Sequence, residues 1–261
     1  MAEMRGPQRN PAVVVAIIGA VGVILAALIP VLLSRNDSGQ APTASTTTSP
    51  PSATGTASNR QVETLGGPRP ARLVLEDDFS TTLDRWPHLN EKARSAGYAS
   101  GRYEMATAAI AEIPAFLRPD KARDVLLQVD GRLFRGNPGN GYGVICKATD
   151  EDNYYRFNIT NGGFYGIFKV QGGRGRALAG PARSAAISST DLNETRALCV
   201  SHPGPPPRTE LRLWINGTQV PTVVDDSLPV DGDLVGLYAR DVSGGGTGWE
   251  FDNFQLWNLA G

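Results

Sequence analysis

From Ala71 onward, apolar and polar residues alternate in short runs separated by Gly, Asp, Asn and Pro. That is the period-2 pattern of half-buried strands, not the 3.6-residue period of helices. The run 73–79 (LVLEDDF) opens the series. In 124–134 (DVLLQVDGRLF), Val125, Leu127 and Val129 share one face. The run 141–147 (GYGVICK) follows a Gly/Asn/Pro-rich turn, and 153–160 (NYYRFNIT) puts Tyr155, Phe157 and Ile159 on one side and Tyr154, Arg156 and Asn158 on the other. Asn161-Gly162-Gly163 reads as a hairpin turn into 164–170 (FYGIFKV). Runs at 195–200, 210–217, 233–240 and 249–257 complete the set. This spacing predicts an all-β domain, an antiparallel two-sheet jelly-roll sandwich. A helical turn is expected near Thr81–Trp86, and 105–116 fits either periodicity.

One stretch breaks the alternation. Pro11–Leu33 (PAVVVAIIGAVGVILAALIPVLL) is apolar on all sides and carries no charge. At 1.5 Å per residue it matches a hydrocarbon core of roughly 30 Å and predicts a transmembrane helix. It is longer than a signal-peptide apolar region and lacks a small-residue cleavage site after it. Arg5 and Arg9 precede it, which by the positive-inside rule places residues 1–10 in the cytoplasm and the rest outside. Residues 34–70 are rich in Ser, Thr, Pro, Gly and Ala and poor in large apolar groups, the composition of a disordered tether. The expected organisation is a tail (1–10), a membrane span (11–33), a tether (34–70) and an extracellular sandwich (71–261) in a single-pass membrane protein.

Composition and charge narrow the function. A net charge of −1 and a pI near 6.2 give no electrostatic footprint for nucleic acid. The two cysteines, Cys146 and Cys199, both fall in strand-like runs. They read either as buried thiols or as a disulfide, and an exported domain favours the second. No second Cys pair or His lies at metal-ligand spacing from them.

The order of motifs DDFS…LDRW, DNYYRFNI…GFYGIFKV, LRLWING and VGLYAR…FDNFQLW resembles the concanavalin A-like lectin/glucanase sandwiches. It is most similar to laminin-G-like and DUF1080-type (3-keto-disaccharide hydrolase-like) domains of bacterial surface proteins. The resemblance spans Leu75–Trp257, implies the sandwich fold, and supports pairing Cys146 with Cys199. It also implies a role at the cell envelope, binding glycan or cell-wall polymer, with hydrolysis as the alternative activity and a purely structural interaction domain as a third. The E-x-D-x-x-E strand of the related glucanases is absent from this sequence, and no nucleophile, P-loop or zinc motif stands out. In many lectin-like jelly rolls the first and last strands share a calcium ion. The resemblance therefore implies a structural calcium site near Asp77, Asp78 and Asp252, whose oxygen ligands suit that cation.

Saccharide sites pair aromatic ring faces with hydrogen-bonding Arg, Asn and Asp. The polar-side residues of the central strands supply such a set: Tyr154, Arg156, Asn158, Lys169, Trp214, Tyr238 and Arg240. For Trp214 the parity of Leu211, Leu213 and Ile215 gives a face but not whether that face is open.

Overall fold

The computed structural model describes residues 60–120 and 122–260. The expected cytoplasmic tail, the membrane span 11–33 and the tether up to residue 59 lie outside the described residues. Among the described residues no helix is long and apolar enough to cross a membrane.

Strand pairing begins before the expected boundary. Strands β1 (Arg60–Thr64) and β2 (Gly67–Asp77) form an antiparallel hairpin, so residues 60–70 belong to the folded domain and not to the tether. Composition hides residues 60–70 because they contribute a single large apolar group inward, Val62. Val62 packs on a small cluster with Ala71, Leu126, Leu198, Val200 and Trp257, and the Arg60 guanidinium lies 4.0 Å from the centre of the Trp257 ring. Docking onto a preformed sheet supplies the burial that the segment lacks by itself.

The chain continues through β3 (Leu89–Asn90), β4 (Arg94–Ala99), β5 (Arg102–Thr107) and β6 (Ala111–Leu117). Next come β7 (Val125–Arg135), β8 (Gly141–Asp150), β9 (Asn153–Thr160), β10 (Phe164–Gln171) and β11 (Arg174–Arg183). The remainder is β12 (Asn193–His202), β13 (Arg208–Ile215), β14 (Thr218–Gln219), β15 (Val223–Asp225), β16 (Leu234–Asp241) and β17 (Thr247–Leu259). Two antiparallel sheets result. The larger runs β14-β13-β12-β7-β17-β5-β4-β3, with β15 beside β13 and the β1–β2 hairpin beside β17; the smaller runs β11-β10-β9-β8-β16-β6. Strand β17 serves two neighbours in turn: its first half pairs with β5, its second half with β2.

The predicted inward parity holds. Val125, Leu127, Val129, Tyr155, Phe157, Ile159, Leu211, Leu213 and Ile215 all enter one core between the sheets. Trp249, Tyr103 and Phe251 are among its largest fully enclosed members, and each such side chain contributes about 1.5–3 kcal/mol by leaving water. Around Thr81–Trp86 there is a turn and no helix. The chain there is held by Trp86, whose ring meets Phe254 edge-on at 4.8 Å and Tyr103 at 5.4 Å. The ambiguous segment 105–116 is strand on both sides of a bend and carries the chain from the larger sheet to the smaller.

Cys146 of β8 and Cys199 of β12 form a disulfide that ties one sheet to the other. It closes a loop with a sequence separation of 53 residues, for which chain entropy gives about 4 kcal/mol of stabilisation.

Candidate saccharide groove on the smaller sheet

The registers of the smaller sheet place its outward side chains in rows across the strands. One row reads Glu112, Arg240, Gly141, Thr160, Phe164, Arg183; the next reads Pro114, Tyr238, Gly143, Asn158, Gly166; the third reads Phe116, Gly236, Ile145, Arg156, Phe168, Ala177. The middle row is a trough, because two of its five positions have no side chain. Its neighbours lean into the space. A Cβ at Gly166 would lie 2.6 Å from the Phe168 ring, and one at Gly141 would lie 2.2 Å from Asn158 Oδ1. The glycines therefore let the Phe168 ring lie along its own strand and the Asn158 amide lie across β8.

The resulting groove has a volume of about 250 Å³. Phe164 and Phe168 flank it, Asn158 and Thr160 line its floor, and Arg240 closes one side. Asn158 Oδ1 is shielded from solvent and has no hydrogen-bond partner among the described residues. An unmet buried acceptor costs about 1–3 kcal/mol, and turning the Asn158 side chain from over Gly141 toward the groove would present it to an arriving donor.

Beside the groove lies a charged cluster. Arg156 Nη1 donates to both carboxylate oxygens of Glu112 (3.2 Å each) and to the Tyr238 hydroxyl (2.6 Å). Its guanidinium also lies 4.8 Å from the Phe168 ring centre and 4.7 Å from that of Tyr238. Arg240 Nε contacts the same Glu112 at 3.1 Å. Burial pushes the Tyr238 hydroxyl well above its ordinary pKa, and the Tyr154 hydroxyl moves up for the same reason, so both stay neutral donors. Phe164 carries its own cation, the Arg183 guanidinium at 4.4 Å. Glu112 is thus the one carboxylate in these three rows, against Arg156, Arg240 and Arg183.

The loop forming the groove's far wall, which includes Val242, is held by Asp241 at the end of β16. Its Oδ1 accepts from the Ser243 amide (2.8 Å), the Ser243 hydroxyl (2.9 Å) and the Gly244 amide (2.9 Å), while Oδ2 accepts from Thr247 (2.7 Å). Burial favours the neutral acid, but these donors outweigh it and hold the carboxyl at about 2.

Of the seven binding residues expected from sequence, Asn158 and Arg240 line the groove, while Arg156 and Tyr238 lie in the cluster beside it and Tyr154 one row beyond, these three buried. Two do not join them. Lys169 lies on β10 of the same sheet but on its inward face, across from the core residue Tyr155, where it pairs with the buried Asp225 (2.9 Å) and donates to the Ser227 and Leu228 carbonyls. Trp214 lies on the outer face of the larger sheet, half-buried against the Leu198–Val200 cluster with the Arg196 guanidinium 5.2 Å from its ring. The single open face joining Trp214 to Tyr154 and Arg156 does not exist, because parity assigns a face within a sheet but not the sheet.

The three carboxylates expected to hold calcium are each engaged separately, although β2 and β17 are neighbours as the resemblance implied. Asp77 accepts from the Phe79 amide (2.9 Å) and the Tyr98 hydroxyl (2.8 Å), Asp78 from Ser80, and Asp252 from Arg102 (2.7 Å). Among the described residues no group of three or more His, Cys, Asp or Glu side chains is gathered for a metal.

Sequence reasoning missed Glu112, Thr160, Phe164 and Phe168. The last three carried a signal: glycines at 141, 143 and 166 recur on the outward parity of neighbouring strands, which marks a place where side chains or a ligand lie close to backbone. Glu112 carried none, since its partners come from distant strands.

No family model matches the chain, and no curated protein matches it in sequence. The concanavalin A-like family membership implied by the motifs therefore finds no support in sequence comparison. Solved structures do resemble it. The GH43 protein BlXynB from Bacillus licheniformis superposes with a TM-score of 0.51 at 15% identity over 69% of this chain and 38% of that one. Cip1, a cellulose induced protein, gives 0.50 at 14% identity over 70% and 96%. The carbohydrate binding module CBM66 from Bacillus subtilis gives 0.49 at 15% identity over 65% and 92%. The chain spans about two fifths of BlXynB, and at these identities the likeness establishes the sandwich fold alone.

Proposed function

We propose that this domain is a saccharide-binding module displayed outside the cytoplasm, with the groove on the smaller sheet as its site. The observation that carries this reading is the pairing of two phenylalanine rings, Phe164 and Phe168, with the polar side chains of Asn158, Thr160 and Arg240 in one groove lining. A pyranose presents an apolar face to such rings and hydroxyls to such polar groups. Binding is favoured over hydrolysis because the groove lining itself contains no carboxylate, and Glu112 beside it is engaged by two arginines. The fold shared with BlXynB and with Cip1, a cellulose induced protein, is consistent with a saccharide as ligand.

A glycan array probed with the full-length chain identifies the ligand. Phe164→Ala, at a ring 37% exposed, then weakens binding several-fold, since stacking contributes about 1 kcal/mol. Arg240→Ala weakens it by more than tenfold, from the loss of a charge-assisted hydrogen bond worth about 1.5–3 kcal/mol. An array without a ligand, or a ligand indifferent to both variants, overturns the reading. The placement outside the cytoplasm rests on the disulfide and on the apolar segment 11–33. Protease added to intact cells is expected to release the domain by cutting between residues 34 and 59; release only from permeabilised cells reverses the orientation.

A further inference from the structure

Towards the other end of β8, past the disulfide, a second and larger cleft of about 690 Å³ opens at the edge of the sandwich. Its walls come from the tip of the β1–β2 hairpin, the approach to β7, the β12–β13 turn and the approach to β16. Three proline rings, Pro203, Pro207 and Pro229, line it with rigid apolar surface. Its polar base is built on Lys147, which is fully enclosed. The Lys147 Nζ donates to the Arg123 carbonyl (2.8 Å), the Ser201 hydroxyl (2.7 Å) and Asp124 Oδ1 (3.1 Å), with Asp231 Oδ1 at 3.5 Å.

The charges around this cleft do not balance. Asp124 is taken by Lys147, by Arg69 Nη1 (2.7 Å) and by the Ser201 amide (2.9 Å). Asp231 is shared between Lys147 and Arg123 (3.4 Å). Arg208 faces the cleft without an ion-pair partner among the described residues. It sits directly across from His202 in the β12–β13 register, so both side chains lie on one face. His202 is held by its Nε2 against Glu210 Oε2 (2.8 Å), a carboxylate whose side chain is wholly buried, leaving Nδ1 on the side of Gly66 and the cleft. His202 is thus held in place and the exposed Arg208 lies across from it, beside apolar walls and within a surplus of positive charge.

We propose that this cleft is a second ligand site, separate from the groove on the smaller sheet, which takes a carboxylate borne on a six-membered ring. Arg208 pairs with the carboxylate, His202 Nδ1 contacts the substituent next to it, and the proline rings cover the ring face. The preference for an anion follows from the unpaired guanidinium, and the preference for a ring from the three proline faces that can cover it.

The test is isothermal titration of the full-length chain with galacturonate and with cyclohexanecarboxylate, each against its neutral amide. At least one carboxylate is expected to bind, with its amide at least tenfold weaker. Arg208→Ala and Arg208→Gln should each weaken the carboxylate at least tenfold, while Phe164→Ala leaves it unchanged. The chain has two histidines, so the imidazole resonances report the location: His202 should shift on binding and His88 should not. Binding by the uronate alone assigns a sugar acid, and by the cyclohexane acid alone an apolar acid; either outcome upholds the site. Absence of binding by both carboxylates overturns it, as does an amide of equal affinity or binding that survives loss of Arg208. Loss of carboxylate binding in Phe164→Ala would move the site to the groove and equally refute a second one.

Discussion

Lys147→Met removes the charge from the enclosed end of β8 while keeping a long unbranched side chain, which matters because residue 147 has φ 51° and a branched one would strain it further. The ammonium has four neighbours: the Arg123 carbonyl, the Ser201 hydroxyl, Asp124 and Asp231. Breaking one side of a buried ion pair costs about 3–5 kcal/mol when the partner is stranded. Here the partners are only partly stranded. Asp124 keeps Arg69 and the Ser201 amide, and the side chain of Asp231 is 46% exposed, so water can replace the lost donor there. An expected cost of about 2–4 kcal/mol follows, or a fall in Tm of roughly 5–15 °C for a domain of this size. The pH dependence sharpens the test. Burial raises the Asp124 pKa, but Lys147, the Ser201 amide and Arg69 together outweigh it and hold the carboxyl below its ordinary value. A depressed folded-state pKa gives stability that is present above the unfolded value of about 3.9 and is lost as pH falls through the folded one. The variant lacks the ammonium that depresses Asp124, so the gap between the two proteins should narrow below about pH 4. Thermal melts from pH 7 to pH 2 read both quantities. Equal melting temperatures at pH 7, or a gap that stays constant to pH 2, would refute the assignment of Lys147 as the cation that holds this corner together.

Two further outcomes are expected. Thiol labelling of the denatured, unreduced chain should be close to zero, and the double variant Cys146→Ala, Cys199→Ala should lose up to about 4 kcal/mol of stability, or roughly 10 °C in Tm; two labelled thiols per chain would contradict the disulfide. Trp214→Ala should cost about 1–3 kcal/mol, less than a fully enclosed tryptophan, and leave saccharide affinity unchanged because Trp214 lies on the larger sheet; abolished binding in a variant of normal stability would place the saccharide site on that sheet instead.

What local alternation determines is the two-sidedness of a strand, and it does so without the rest of the molecule. The side-chain period of two sends Tyr155, Phe157 and Ile159 to one side of β9 whatever they meet, and the Asn161–Gly163 turn sets how β10 returns beside it. Strands that lack alternation are invisible for the same reason. Strand β11 (RGRALAGPAR) is an exposed edge with little to bury, and β1 draws its burial from Leu126, Leu198 and Trp257, residues far away in the chain. Tertiary structure alone decides which sheet each outward face belongs to. Trp214 and Tyr154 share a parity, yet β13 and β9 lie in different sheets. It also decides the partners of every charge that matters. Charge alone assigns Lys169 to the polar face, but its register across from Tyr155 turns it inward, where the 225–228 segment makes it a buried cation bonded to Asp225. Glu112 acquires its role from Arg156 and Arg240 on strands β9 and β16, and Arg208 its place opposite His202 from the β12–β13 register. Electrostatic and hydrogen-bond partners depend on distances of a few ångströms between segments distant in the chain, and those distances are set only when the two sheets close on their common core.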